Sequence, residues 1–177
     1  MSQDAFQKDK SGGSAPRDAV DEIVDQWRRE LPDLDPSAKE LTGRIVRLAD
    51  LFQRAYAEAF ESLGINDADF GILAPLRRAG PPYELTPTEL ARHRMITSGG
   101  MTAAIDRVER KGLVTRAPNP GDRRGSLVRL TDEGRRVIDD AMVRHTEVEH
   151  RLVSSLGAKD RLTLRRLLKT LLADVDR

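Results

Sequence analysis

The sequence predicts a mainly helical chain carrying one small β-hairpin, and three observations support that reading. Apolar residues recur at helical spacing over most of the 177 residues. Two short alternating segments, LVTRA and SLVRL, bracket a Pro-Gly turn between helical stretches. Apolar residues make up 38% and aromatics 4% of the chain against 33% charged, which suits helices with long polar faces or burial shared with a partner chain. The absence of cysteine excludes a disulfide scaffold, a thiol nucleophile, cysteine-ligated zinc and a thiol redox switch.

Residues 1–15 are polar and rich in Gly and Ser, and are expected to be a disordered tail. A first helix is expected from Pro16 to about Glu30, with Val20, Ile23, Val24, Trp27 and Leu31 on one stripe. A long helix follows from about Pro36 to Gly64, its seam formed by Leu41, Ile45, Leu48, Phe52, Ala55, Ala59 and Leu63. Asn66 can cap a third helix, which Pro75 is expected to kink or split. In LTPTELARHR, Thr86, Pro87 and Glu89 form a capping box with proline at the first helical position, starting a short helix to about Arg92. TSGGMTAAIDRVERKG restarts the helical pattern after a turn, and Gly112 ends it. The two strands enclose PNPGDRRG, where Pro120 and Gly121 suit a type II turn. Thr131 caps a helix to about Leu156, and AKDRLTLRRLLKTLLADV forms the last, with a broad face of Leu164, Leu167, Leu168, Leu171, Leu172 and Val175.

This order is a winged helix-turn-helix lobe set between helices suited to dimerisation. The expected organisation is N-terminal dimerisation helices over 16–64, the winged lobe over 65–131 and C-terminal dimerisation helices over 132–177. Charge singles out the same lobe. Residues 86–130 hold nine basic residues against four acidic ones, although the whole chain is only +1. A solvated basic face and a polyanion-binding segment both fit that excess, and the local sequence decides between them.

From about residue 36 to 175 the chain resembles the MarR family of bacterial transcription regulators. GDRRGSLVRLTDEG at 121–134 matches the family's wing signature, supported by LTPTELA at 85–91, TSGGMT at 97–102 and RVERKGLVTR at 107–116. The resemblance implies a homodimer whose first and last helices interlock, with double-stranded DNA as its partner. It also implies an anionic or phenolic small-molecule effector, for which Trp27, Phe52, Tyr56, Phe60, Phe70 and Arg116 are candidate lining residues. Aromatics at this spacing also read as ordinary core. The N-terminal helix with its Trp is similar to the urate-responsive branch of the family, whose four polar contacts map to Trp27, Gly71, Ala104 and Arg116. Only Trp27 and Arg116 match, so urate is not expected.

The residues themselves suit DNA. Thr97, Ser98, Gly99 and Gly100 are small enough to bring a helix N-terminus close to base edges or a phosphate, and Met101 and Thr102 are the side chains expected to meet bases. Arg92, Arg94, Arg107 and Arg110 are expected on phosphates. In the wing, Arg123 and Arg124 can reach a narrow minor groove, with Asp122 bracing Arg124. No Arg or Lys stands in the first turn of the reading helix, so specificity should lean on methyl contacts, water and DNA deformability.

No enzyme motif is present: the sequence has no phosphate-binding loop with Lys, Ser elbow or metal-protease pattern. No cofactor or metal is expected, and His145, Glu149 and His150 read as a solvated helix face. The competing functions are a winged-helix module that docks an acidic protein, and a non-specific nucleoid-binding protein. No apolar run approaches 18 residues and the first 20 resemble no signal peptide, so a cytoplasmic protein with no membrane partner is expected.

Overall fold

The structure, a computed structural model, describes residues 16–94 and 98–175, with the side chains at 93, 94, 98, 99 and 122–124 outside that description. The expected tail, 1–15, lies outside the described residues. The chain divides into two compact units, 1–50 and 51–177. That boundary falls inside the long helix rather than at 64/65. The helix's second half sends Tyr56, Ala59 and Phe60 into the larger unit's core.

In the smaller unit, α1 (Ala19–Glu30) starts at Asp18, whose carboxylate accepts the N–H of Val20 at 2.8 Å and of Asp21 at 3.2 Å, and Asp21 closes the capping box. It packs on the first half of α2 (Lys39–Glu61) through Val20 and Val24, both buried, and Gly43 admits Val20 so closely that an added Cβ would lie 3.1 Å from it. Arg44 of α2 donates to Asp18 at 2.9 Å and to Asp21 at 2.6 Å, tying α2 to the cap of α1. Of the expected α1 stripe, Ile23, Trp27 and Leu31 are exposed, as are Leu41, Ile45 and Leu48 of the α2 seam.

In the larger unit, α3 (Asp67–Arg78) is capped by Asn66, with Asp69 completing the box. Pro75 does not split it. The proline lies in the final turn and is itself buried, so packing outweighs the single backbone bond it forgoes. β1 (Glu84–Leu85), unforeseen in the sequence, pairs antiparallel with β3 (Asp122–Leu130), which pairs on its other side with β2 (Val114–Asn119). Between β1 and β2 run α4 (Pro87–Arg94) and α5 (Ser98–Arg110). The wing turn is not type II. Gly121 lacks the left-handed φ that type requires, and its N–H is taken at 2.9 Å by the side-chain oxygen of Asn119.

Gly112, at φ 72°, ends α5 in a Schellman arrangement: Leu113 N–H reaches Val108 O at 3.0 Å and Gly112 N–H reaches Glu109 O at 2.8 Å. Thr131 then caps α6 (Asp132–Leu152), accepting the N–H of Gly134 at 2.9 Å. The core is one cluster that includes Phe60, Ile72, Leu73, Leu76, Leu90, Ile105, Val108, Val128 and Ile138. The last helix, α7 (Ala158–Val175), buries none of its residues.

Candidate nucleic-acid interface

α4 begins with the expected reciprocal cap: Thr86 N–H donates to Glu89 Oε2 at 2.7 Å, and Glu89 N–H to Thr86 Oγ1 at 3.2 Å. Its Leu90 is fully buried and holds the helix beneath α5, while Arg92 is exposed. On α5, Met101, Ala104, Ile105 and Val108 are buried, a stripe at the 3.6-residue period. That phase corrects one expectation. Met101, 1% exposed, is a core residue and not a base contact, because it shares its face with Ala104, Ile105 and Val108. The outward face instead presents Gly100, Thr102, Ala103 and Arg110, with Asp106 half-buried among them. Ala103 was missed in the sequence, and it supplies the outward methyl that Met101 does not.

The side of α5 nearest α3 carries a charge network. Asp69 is fully buried. Its Oδ1 accepts from Arg107 Nε at 2.6 Å, and its Oδ2 accepts from Lys111 Nζ at 2.7 Å and from the Asn66 N–H at 3.1 Å. Lys111 Nζ also donates to the carbonyl of Gly64 at 2.7 Å. Burial pushes the Asp69 pKa up, but hydrogen bonds from Lys111, Arg107 and Asn66 outweigh it and hold the carboxyl below its ordinary value. Arg107 therefore spends its Nε inside the lobe, a second departure from the expectation of a phosphate contact.

On the wing side, Arg116 of β2 pairs with Asp106 and Glu109 of α5, and its own N–H donates to Glu109 at 3.2 Å. Its hydrogen bond to Asp106, with the two charges nearby, raises its pKa above the ordinary arginine value. This clamp, rather than an effector pocket, is where the structure puts Arg116. At the far edge of the sheet Arg129 Nε donates to Glu84 at 2.7 Å. Thr97 lies outside the described residues, as do the side chains of Arg94, Ser98, Gly99, Asp122, Arg123 and Arg124. The backbone nevertheless places 122–124 at the start of β3, just after the turn at Pro120 and Gly121.

Among the candidate effector residues, Trp27 belongs to the smaller unit and Phe52 is half-buried. Tyr56, Phe60 and Phe70 come together, but as core, in a stack that also takes His145: Tyr56–His145 at 4.3 Å, Phe70–His145 at 4.9 Å and Phe60–Phe70 at 4.9 Å between ring centres. Burial raises the Tyr56 pKa. His145 is thus no solvated-face residue. Its Nδ1 is buried without a hydrogen bond among the described residues, and Glu149 stands 3.5 Å away. A cleft of about 450 Å³ opens beside it, lined in part by Asp67, Phe70, Gly71, Arg78 and Met142.

The comparisons with known proteins agree with this geometry. The MarR family model matches residues 63–125, which span α3 through the wing turn. The HTH-type transcriptional regulator PecS of Dickeya dadantii is 37% identical over 149 residues, covering 84% of this chain and 90% of PecS. The multiple antibiotic resistance protein MarR of Escherichia coli is 33% identical over 132 residues, covering 73% of this chain and 90% of MarR. The crystal structure of a mutant E. coli MarR complexed with operator DNA superposes with a TM-score of 0.68 at 30% identity, covering 82% of this chain and 97% of that one. With its small-faced α5, its three-stranded wing and relatives aligned over nearly their whole length, the chain belongs to the MarR family of winged helix-turn-helix, DNA-binding transcriptional regulators, and it is not an enzyme.

Proposed function

We propose that two copies of the chain join and bind a pseudo-palindromic operator as a cytoplasmic, sequence-specific repressor that a small anionic or phenolic effector releases. The observation that carries this reading is the phase of α5: with Met101, Ala104, Ile105 and Val108 turned inward, the outward face is small and can enter a groove about 12 Å wide. Thr102 and Ala103 would meet base edges, with Thr97, Ser98, Gly99 and Gly100 allowing close approach. Arg92, Arg94 and Arg110 would hold phosphates, and Arg123 and Arg124, shaped by Asp122, would enter the minor groove.

Pairing of two copies is supported by α7. Leu162, Leu164, Leu167, Leu168, Leu171, Leu172 and Val175 are all exposed in the single chain, far more apolar surface than a soluble helix leaves uncovered. A two-fold dimer then reads half-sites about 10 bp apart centre to centre. No helix among the described residues is long and apolar enough to cross a membrane.

Selection of bound fragments from the native genome, followed by titration of a selected duplex and a random duplex at two salt concentrations, tests the reading. The expected result is enrichment of an inverted repeat and a markedly tighter complex with it. Equal affinity for both duplexes would leave a nucleoid protein, and no affinity for either would leave a protein-docking module. Displacement from the selected duplex by a panel of aromatic acids and phenols, such as benzoate and 4-hydroxybenzoate, tests the effector.

A further inference from the structure

We infer that Asp69 is a positioning residue for sequence reading: it sets the pitch of α5 on the lobe, and thereby decides whether Thr102 and Ala103 reach base edges. The inference rests on the DNA-reading role of α5 proposed above. Asp69 is the one fully buried charged side chain among the described residues. It closes the cap of α3 through the Asn66 N–H, and the same carboxylate grips α5 twice, at Arg107 and Lys111, one helical turn apart. Lys111 extends the grip to the Gly64 carbonyl, where α2 turns into α3. Both held residues lie in or just past the last turn of α5, while the reading residues lie in its first turns. A helix held at two points one turn apart cannot rotate or tilt without breaking charged hydrogen bonds, which are among the strongest contacts a side chain makes.

On the opposite flank α5 is held by the partly exposed Arg116 clamp, at Asp106 and Glu109. Solvent screens that pair far more than the buried one. Loss of the Asp69 charge therefore leaves α5 attached by its apolar stripe and the outer clamp, and free to vary in pitch. It also releases two cations toward solvent, which favours any polyanion regardless of sequence.

The test compares wild type, Asp69→Asn and Asp139→Asn. Asp139 pairs with Arg77 between α6 and α3 and has no hydrogen bond or ion pair to α5 among the described residues, so it controls for loss of a surface ion pair elsewhere in the lobe. Each protein is titrated, per folded molecule, with a duplex selected on the wild type and a random duplex of equal length. Asp69→Asn should lower the ratio of selected to random affinity about tenfold, mainly through the selected duplex, while Asp139→Asn leaves the ratio unchanged. An unchanged ratio in Asp69→Asn overturns the inference, as does an equal fall in Asp139→Asn. If Asp69→Asn does not fold, Lys111→Met removes one of the two grips and should lower the ratio about threefold; no fall there overturns the inference equally. Failure of the wild type to enrich any sequence would instead defeat the DNA-reading proposal, an outcome visible before any variant is made.

Discussion

Gly134→Ala should destabilise the protein although it replaces glycine by the best helix former inside a helix. Helix propensity alone favours alanine there by about 1 kcal/mol. The structure argues for the opposite sign. A Cβ on Gly134 would stand 1.8 Å from the carbonyl oxygen of Leu113 and 2.8 Å from its carbon, both backbone atoms that no rotamer change can move. An ordinary contact needs about 3.5 Å, so α6 would have to retreat by more than 1 Å from the end of α5. Such a retreat strains the bonds that seat the helix, Thr131 N–H to Leu113 O at 3.1 Å and Thr131 Oγ1 to Gly112 O at 2.8 Å. Overpacking of this kind costs about 1–3 kcal/mol and each weakened bond about 1 kcal/mol, giving a net loss of about 2–4 kcal/mol after the propensity gain. Urea titration and thermal unfolding at one fixed protein concentration measure it, with Tm falling by roughly 5–15 °C. Gly157→Ala serves as the comparison, because there only Asp160 Oδ2 lies within reach, at 3.7 Å, and the change should stay within about 1 kcal/mol. A Tm for Gly134→Ala equal to or above wild type would refute the steric reasoning.

Met101→Ala should cost about 2–5 kcal/mol in urea titrations, as a core truncation does, and leave the operator-to-random ratio of the folded fraction intact. Thr102→Ala should redistribute sequence preference in a selection experiment, whereas Arg124→Ala should weaken binding to every duplex and flatten the salt dependence. Arg110→Gln should reduce the slope of log affinity against log salt by about 0.9 for each phosphate that the arginine neutralises, while Arg107→Gln, whose Nε is held by the buried Asp69, should change the slope less. Because the Asp69 carboxyl sits below its ordinary pKa in the fold, its stabilisation is present above about pH 4 and disappears as the pH falls through the lower folded value. Acid unfolding of Asp69→Asn should therefore be flatter than that of wild type across that range, and parallel curves would contradict the assignment.

Much of the lobe was legible because its signals are local. Thr86 to Glu89, Asn66 to Asp69 and Thr131 to Gly134 are caps written within four residues, and each is formed where the sequence places it. What escaped depends on phase or on distance along the chain. Met101 and Ala103 exchange roles on a shift of one or two positions in helix phase, and the Ser-Gly-Gly start of α5 offers no apolar residue to fix that phase. β1 is two residues long, too short for any alternation to show. The Asp69 network joins residues 38 and 42 positions apart, so the sequence could show two cations one turn apart but not the carboxylate beneath them. His145 likewise read as surface because its ring partners lie on α2 and α3.

The same distinction changes what the basic stretch means. Counted along the chain, 86–130 carries a clear excess of positive charge, and the simplest inference sends all of it to DNA. In the fold, Arg107 and Lys111 share Asp69, Arg116 is held by Asp106 and Glu109, and Arg129 meets Glu84. These cations build the lobe: they fasten α5 to α3 on one flank and to the wing on the other, and they fasten β3 to β1. Arg92 of α4 and Arg110 of α5 remain exposed among the described residues. Under the proposed function, arginine in this lobe divides between holding the helix still and holding the duplex. The first use makes the second informative, since a cation that only attracts phosphate cannot tell one sequence from another unless the helix beside it is fixed in place.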